Sequence, residues 1–106
     1  MTDTLTLLEQ TIAERMASGD VQASYVAQLH ARGLPVVARK LGEEAVETIV
    51  AALSGSEADL VGEAADVVFH LAVLLAERSV PLSAVMAELD RRHGTSGITE
   101  KAARTS

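Results

Sequence analysis

From Leu60 to Ala76 nearly every residue is apolar: Leu60, Val61, Ala64, Ala65, Val67, Val68, Phe69, Leu71, Ala72, Val73, Leu74 and Leu75 follow one another with few breaks. A helix that is hydrophobic almost all the way round has to be buried almost all the way round. A chain of 106 residues has too few other helices to do that alone. This stretch therefore predicts an all-α domain whose bundle core is completed by dimerisation, most simply as a two-fold homodimer. Aromatics make up only 2% of a chain that is 48% hydrophobic, so the core must be Leu, Val, Ile and Ala. Such small aliphatics let helix backbones approach closely.

The other elements follow from periodicity. Leu5, Leu8, Ile12 and Met16 form one stripe of an amphipathic helix, with Asp3 or Thr4 as its cap and Ser18-Gly19-Asp20 as its end. Ser24 reads as the N-cap of a short helix from Tyr25 to Arg32, stopped by Gly33 and Pro35. Tyr25 is read as a core or interface ring with a polar tip. A third helix is expected from Val36 to Leu53, with Val37, Leu41, Ala45, Ile49 and Leu53 as its apolar row and Ser54-Gly55 as its stop. Gly42 inside it signals either a close approach or a tolerated glycine. Ser56 and Asp59 make a capping-box pattern for the fourth helix. Pro81 to Ser83 begins a fifth, with Leu82, Val85, Met86 and Leu89 as its stripe and Arg91-Arg92-His93 at its C-terminus. The expectation is a single domain of four to five helices over 1–93, followed by a flexible tail over 94–106.

Charge narrows the choice of function. Between Val36 and Glu77 stand two basic residues, Arg39 and Lys40, against eight acids, so this segment alone accounts for the net charge of −6. Polymeric nucleic acid is an unsuitable partner for such a surface. There is no cysteine, which excludes disulfides, thiolate metal sites and a cysteine nucleophile. No apolar run approaches the ~18 residues that span a bilayer, and no basic-then-apolar leader is present. A cytoplasmic protein without a membrane partner is expected.

Two clusters of acids interrupt this apolar background. At about 100° per residue, Lys40, Glu43, Glu44 and Glu47 fall within one arc of the third helix. Asp59, Glu63, Asp66 and His70 line one polar stripe of the fourth. The first cluster alone reads as an ordinary wet helix face. The second lies on the most apolar helix, where unpaired buried carboxylates are too costly for a small domain. A salt-bridged cluster, protonated acids or a metal ion would resolve the conflict. Basic residues are scarce nearby, so metal is favoured, and all-oxygen ligation selects Mg²⁺ or Mn²⁺. His70 is read as a histidine that packs or supports the site, in preference to a ligand. The matching chemistry is metal-assisted attack on a phosphoanhydride, with a carboxylate not committed to metal as general base.

The pattern Glu43-Glu44-x-x-Glu47, fifteen residues, then Glu63-x-x-Asp66 resembles the signature of the all-α nucleoside triphosphate pyrophosphohydrolases. Ser24-Tyr25-Val26-Ala27-Gln28-Leu29, the Lys40-Leu41-Gly42-Glu43-Glu44-Ala45 run, Phe69-His70-Leu71, the Glu88 to His93 ending and Ser96-Gly97-Ile98 with Glu100-Lys101 are similar to phosphoribosyl-ATP pyrophosphohydrolases. That resemblance implies hydrolysis of N1-(5-phosphoribosyl)-ATP to the AMP derivative and pyrophosphate, the second step of histidine biosynthesis, with Mg²⁺ in a helical dimer. By position it implies Glu43, Glu44, Glu47, Glu63 and Asp66 as metal-binding acids, with Glu44 and Glu47 as the catalytic pair. Lys40 is the leading phosphate contact, with Arg39, Lys101 and Arg104 as further ones. Pro81 departs from the pattern, standing where a Ser cap is usual. The alternatives are a house-cleaning (d)NTP pyrophosphohydrolase and a non-catalytic helical dimer.

Overall fold

The computed structural model describes residues 3–94 and 97–105. It is built on a helical hairpin. Helices α3 (Leu34–Ser54) and α4 (Glu57–Glu77) are each 21 residues long, about 31 Å at the α-helical rise. Only Gly55 and Ser56 separate them, so the two must run antiparallel and side by side. Gly55 eases this turn, because a Cβ at this position would stand only 3.0 Å from the Ala51 carbonyl oxygen. Ser56 Oγ accepts from the Asp59 amide and the Asp59 carboxylate accepts from the Ser56 amide, each at 3.1 Å. This is the capping box expected from the sequence.

Helix α1 (Thr4–Ser18) and helix α2 (Tyr25–Arg32) pack on the other half of the hairpin. Gly19 ends α1 in the left-handed region at φ 64°, a conformation that glycine adopts without the steric penalty of a Cβ. The Ser24 hydroxyl accepts from the Ala27 amide at 3.1 Å and starts α2. The core gathers Ile12, Val26, Leu29, Val37, Ala72 and Val73, with Leu8, Met16, Val36, Phe69, Leu74 and Ala76 packed around them. It therefore lies against the beginning of α3 and the end of α4. Two polar links tie α2 to α4, namely Tyr25 to His70 at 3.1 Å and His30 to Glu77 at 2.6 Å.

Helix α5 (Leu82–Arg92) has Pro81 at its N-cap, where no side chain can accept. The missing cap comes from α1, since Glu9 accepts from the Leu82 amide at 2.8 Å. Helix α6 (Gly97–Thr105) lies within the segment expected to be a flexible tail. It is the sixth helix, one more than the expected four to five.

Two expectations need correction. Helix α3 begins at Leu34 and not at Val36, because Pro35 falls in the first turn, where its absent N–H has no helical partner to lose. The predicted apolar row of α3 does not stay buried. Val37 is fully covered, but Ile49 is 58% and Leu53 83% exposed. Steps of four residues precess by about 40° each, so a row that starts on the core has turned away from it sixteen residues later. As expected for so apolar a helix in so short a chain, α4 is not covered all round within one chain, and Val61 and Val68 are exposed. A Cβ placed on Gly42 would meet nothing within 4 Å among the described residues, so no close approach within the chain explains that glycine there.

Candidate active site

The hairpin lays the acid-bearing face of α3 against the polar stripe of α4. Glu44, Glu63 and Asp66 each offer a carboxylate oxygen, and these oxygens all lie within 4.8 Å of one another. Glu44 comes from the middle of α3, and Glu63 and Asp66 from successive turns of α4. Glu44 and Glu63 are half-buried, and Asp66 is exposed. The Glu44 turn is held in part by Thr48, whose hydroxyl donates to the Glu44 carbonyl at 2.8 Å.

The electrostatics are those of a site with too much negative charge. Burial pushes the Glu44 carboxyl above its usual range. Glu47 adds to this by its charge and by a shared hydrogen bond, and Asp66 adds by its charge. Glu63 is raised in the same manner, first by burial, then by Glu47, Glu44 and Asp66. One oxygen of each, Glu44 Oε2 and Glu63 Oε2, is buried without any hydrogen-bond partner. Partnerless buried carboxylate oxygens are costly. Three converging oxygens, two of them from such groups, form a donor set that fits a hard divalent cation.

The remaining predicted residues fall into three places. Glu47 borders both Glu44 and Glu63, as their mutual influence records, and is itself exposed. Glu43 stands apart, next to Arg39 at 3.5 Å and Lys40 at 3.4 Å. Adjacent helical positions diverge by about 100°, so Glu43 and Glu44 cannot both face α4. Lys101 and Arg104 are exposed on α6.

A cleft of about 440 Å³ opens beside Glu47 and Glu63. Val50, Ala51, Ser54, Gly55 and Asp59 complete its lining. Its size falls within the range of small-molecule pockets.

His70 is 4% exposed and both ring nitrogens are engaged. Nδ1 lies 2.7 Å from the Asp66 carbonyl oxygen and Nε2 lies 3.1 Å from the Tyr25 hydroxyl. A carbonyl only accepts, so Nδ1 carries the proton, and a neutral ring accepts from Tyr25 at Nε2. This agrees with a supporting histidine and not with a ligand. The part played by Tyr25 was not legible, because a link over 45 residues leaves no local pattern.

The chain matches the family model described as phosphoribosyl-ATP pyrophosphohydrolase over residues 5–93. It is 62% identical over 104 residues to the phosphoribosyl-ATP pyrophosphatase of Rhizorhabdus wittichii, covering 98% of this chain and 97% of the relative. The chain belongs to the phosphoribosyl-ATP pyrophosphohydrolase family. Proteins with the same name from Sphingopyxis alaskensis and Novosphingobium aromaticivorans are each 59% identical, over 98% and 96% of this chain and 95% and 94% of their own lengths. The matched segment spans α1 to α5 and includes every residue of the carboxylate cluster. No helix among the described residues is long and apolar enough to cross a membrane.

Proposed function

We propose that this protein hydrolyses N1-(5-phosphoribosyl)-ATP to N1-(5-phosphoribosyl)-AMP and pyrophosphate, a step of histidine biosynthesis, with Mg²⁺ or Mn²⁺ as cofactor. Family membership supports the substrate. One observation carries the chemistry: Glu44, Glu63 and Asp66 converge while two of their oxygens are buried and unpartnered. In this reading Glu44, Glu63 and Asp66 hold the cation. When bound, the cation neutralises phosphate oxygens and makes a coordinated water more acidic.

The chain's own residues supply the rest. Glu47 is exposed and borders the cluster, so it is assigned as the base that takes the proton of the attacking water. The water oxygen bonds to phosphorus, the anhydride P–O bond breaks, and pyrophosphate leaves with the bonding electrons. Glu44 joins the ligands to the base, touching both sets. Arg39 and Lys40 sit about one turn before Glu44, and their pairs with Glu43, partly open to solvent at 3.5 and 3.4 Å, are weak enough to exchange for phosphate. Lys101 and Arg104 are assigned as further phosphate contacts. Glu43 meets the cation only by leaving those two bases.

The same reading includes a cytoplasmic homodimer. Val46, Ile49, Val50 and Leu53 form an i, i+3, i+4, i+7 stripe on α3, and all are more than half exposed. An apolar stripe of this kind is what a second copy would cover.

The test is pyrophosphate release from phosphoribosyl-ATP, against a panel of dNTPs, with Mg²⁺ and with chelator. Preferred, Mg²⁺-dependent turnover of phosphoribosyl-ATP is the expected result. Faster turnover of dNTPs would assign the protein to nucleotide-pool cleaning instead.

A further inference from the structure

The chain's two aromatic residues, Tyr25 and Phe69, stand together beside His70. Tyr25 stacks on Phe69 at 6.0 Å between ring centres, and His70 sets its edge against both, at 5.8 and 5.1 Å. Stacking accounts for the rings being neighbours. It does not account for the polar chain through them, which runs from the Tyr25 hydroxyl to His70 Nε2 and from His70 Nδ1–H to the Asp66 carbonyl.

That chain ends on the turn of α4 that presents Asp66. The Asp66 side chain is exposed, so its place is set by the backbone turn beneath it. Tyr25 is the first residue of α2, directly behind the Ser24 cap. The far end of α2 is tied to the end of α4 through His30 and Glu77. Helix α2 is thus a short strut anchored at both ends, and at its first residue the Tyr25 hydroxyl meets His70, one turn beyond Asp66 on α4. We propose that Tyr25 is a positioning residue for the carboxylate site, acting through His70 on the Asp66 turn. The proposal rests on the reading that Glu44, Glu63 and Asp66 hold a divalent cation.

Groups that orient a metal ligand typically change metal affinity by about 10- to 100-fold when removed. Tyr25 acts through one further residue, so Tyr25→Phe is expected to weaken Mn²⁺ binding by roughly three- to tenfold. This substitution keeps the ring stack and removes only the hydroxyl. His70→Asn keeps a donor within reach of the Asp66 carbonyl but loses the Tyr25 bond. The double variant should bind Mn²⁺ no worse than the weaker single one, because both changes interrupt the same chain.

Mn²⁺ binding is read by electron paramagnetic resonance on the full chain, with helical content and melting temperature as controls on folding. Nitrogen NMR of His70 in the metal-free protein provides a second readout. Both wild type and Tyr25→Phe should keep the Nδ1–H tautomer that the Asp66 carbonyl selects, and only wild type should show the Nε2 shift of a ring nitrogen accepting from a hydroxyl. At saturating Mn²⁺, kcat and KM should return toward wild type. Loss of Mn²⁺ binding in Asp66→Asn with wild-type binding in Tyr25→Phe would overturn the positioning role and leave the proposed function standing. A raised KM in Tyr25→Phe with unchanged Mn²⁺ affinity would also overturn it, by assigning Tyr25 to substrate. Equal Mn²⁺ binding by wild type and Asp66→Asn would remove the proposed function and the positioning role together.

Discussion

Glutamates occupy two contrasting settings in this fold. On α5, Glu88 takes Arg91 at 2.7 Å and Arg92 at 3.2 Å from the next turn of its own helix. Those hydrogen bonds pull its carboxyl down to about 2. Between α3 and α4, Glu44 and Glu63 meet further carboxylates, and both are pushed up. The acids near the hairpin have bases on α3 as well, yet Arg39 and Lys40 pair with Glu43 on the outer edge. Local compensation is thus available and used on α5, whereas the converging acids are left without it. A helix face that is meant only to stay solvated resembles α5. Under the proposed function, the uncompensated charge of the hairpin is what a bound cation would offset.

The sharpest way to break this contrast is to remove one converging acid. Asp66→Asn or Glu44→Gln should lower kcat/KM for phosphoribosyl-ATP by roughly 100- to 10,000-fold, the span expected for loss of an acid–base or ligand group. Pyrophosphate release measures it, and a variant within a fewfold of wild type would contradict the assigned roles.

Metal should next erase the difference between the two settings. At a hundredfold excess over its dissociation constant, Mn²⁺ should stabilise wild type by about 2.7 kcal/mol against denaturant. Asp66→Asn should lose most of that gain, and Glu88→Gln none of it.

The pH dependences should run in opposite directions. Glu44 and Glu63 have folded-state values above their unfolded ones, so the folded chain holds extra protons between the two. Their contribution is lost as pH rises through the raised values. The metal-free protein should therefore lose urea resistance as pH climbs from the ordinary glutamate range toward neutrality, and Glu44→Gln should flatten that slope and raise the metal-free melting temperature by a few degrees. Glu88 contributes in full above its unfolded value and loses its contribution as pH falls toward about 2.

The smallest effect belongs to Glu88→Gln at neutral pH. The pair is solvent-exposed and screened, so the urea midpoint should shift by little more than its error and not at all in high salt.

Much of this was legible in the sequence because it depends on neighbours a few residues apart. The Ser24 cap, the Ser56–Asp59 box and the left-handed Gly19 are each set within four residues. Both acid clusters could likewise be placed on one face of their helices by counting. What counting missed has a geometric cause. It put Glu43 with Glu44 because both fit one arc, and only the position of α4 separates them. It kept Ile49 and Leu53 with Val37 in one row, although among the described residues that row turns to a side of α3 that is left exposed. Pro81 left α5 without a local cap, and the acceptor came from Glu9, 73 residues away.

The sequence by itself determined helices α1 to α5, most of their ends, the excess of acid on two of them and the family, since all of these follow from local spacing and residue type. Tertiary structure alone decided which carboxylates converge, which one keeps the bases, and that Tyr25 closes a hydrogen-bond chain to the Asp66 turn. Those outcomes depend on the rotation of one helix against another. A difference of about 100° between adjacent residues is invisible until the neighbouring helix is in place.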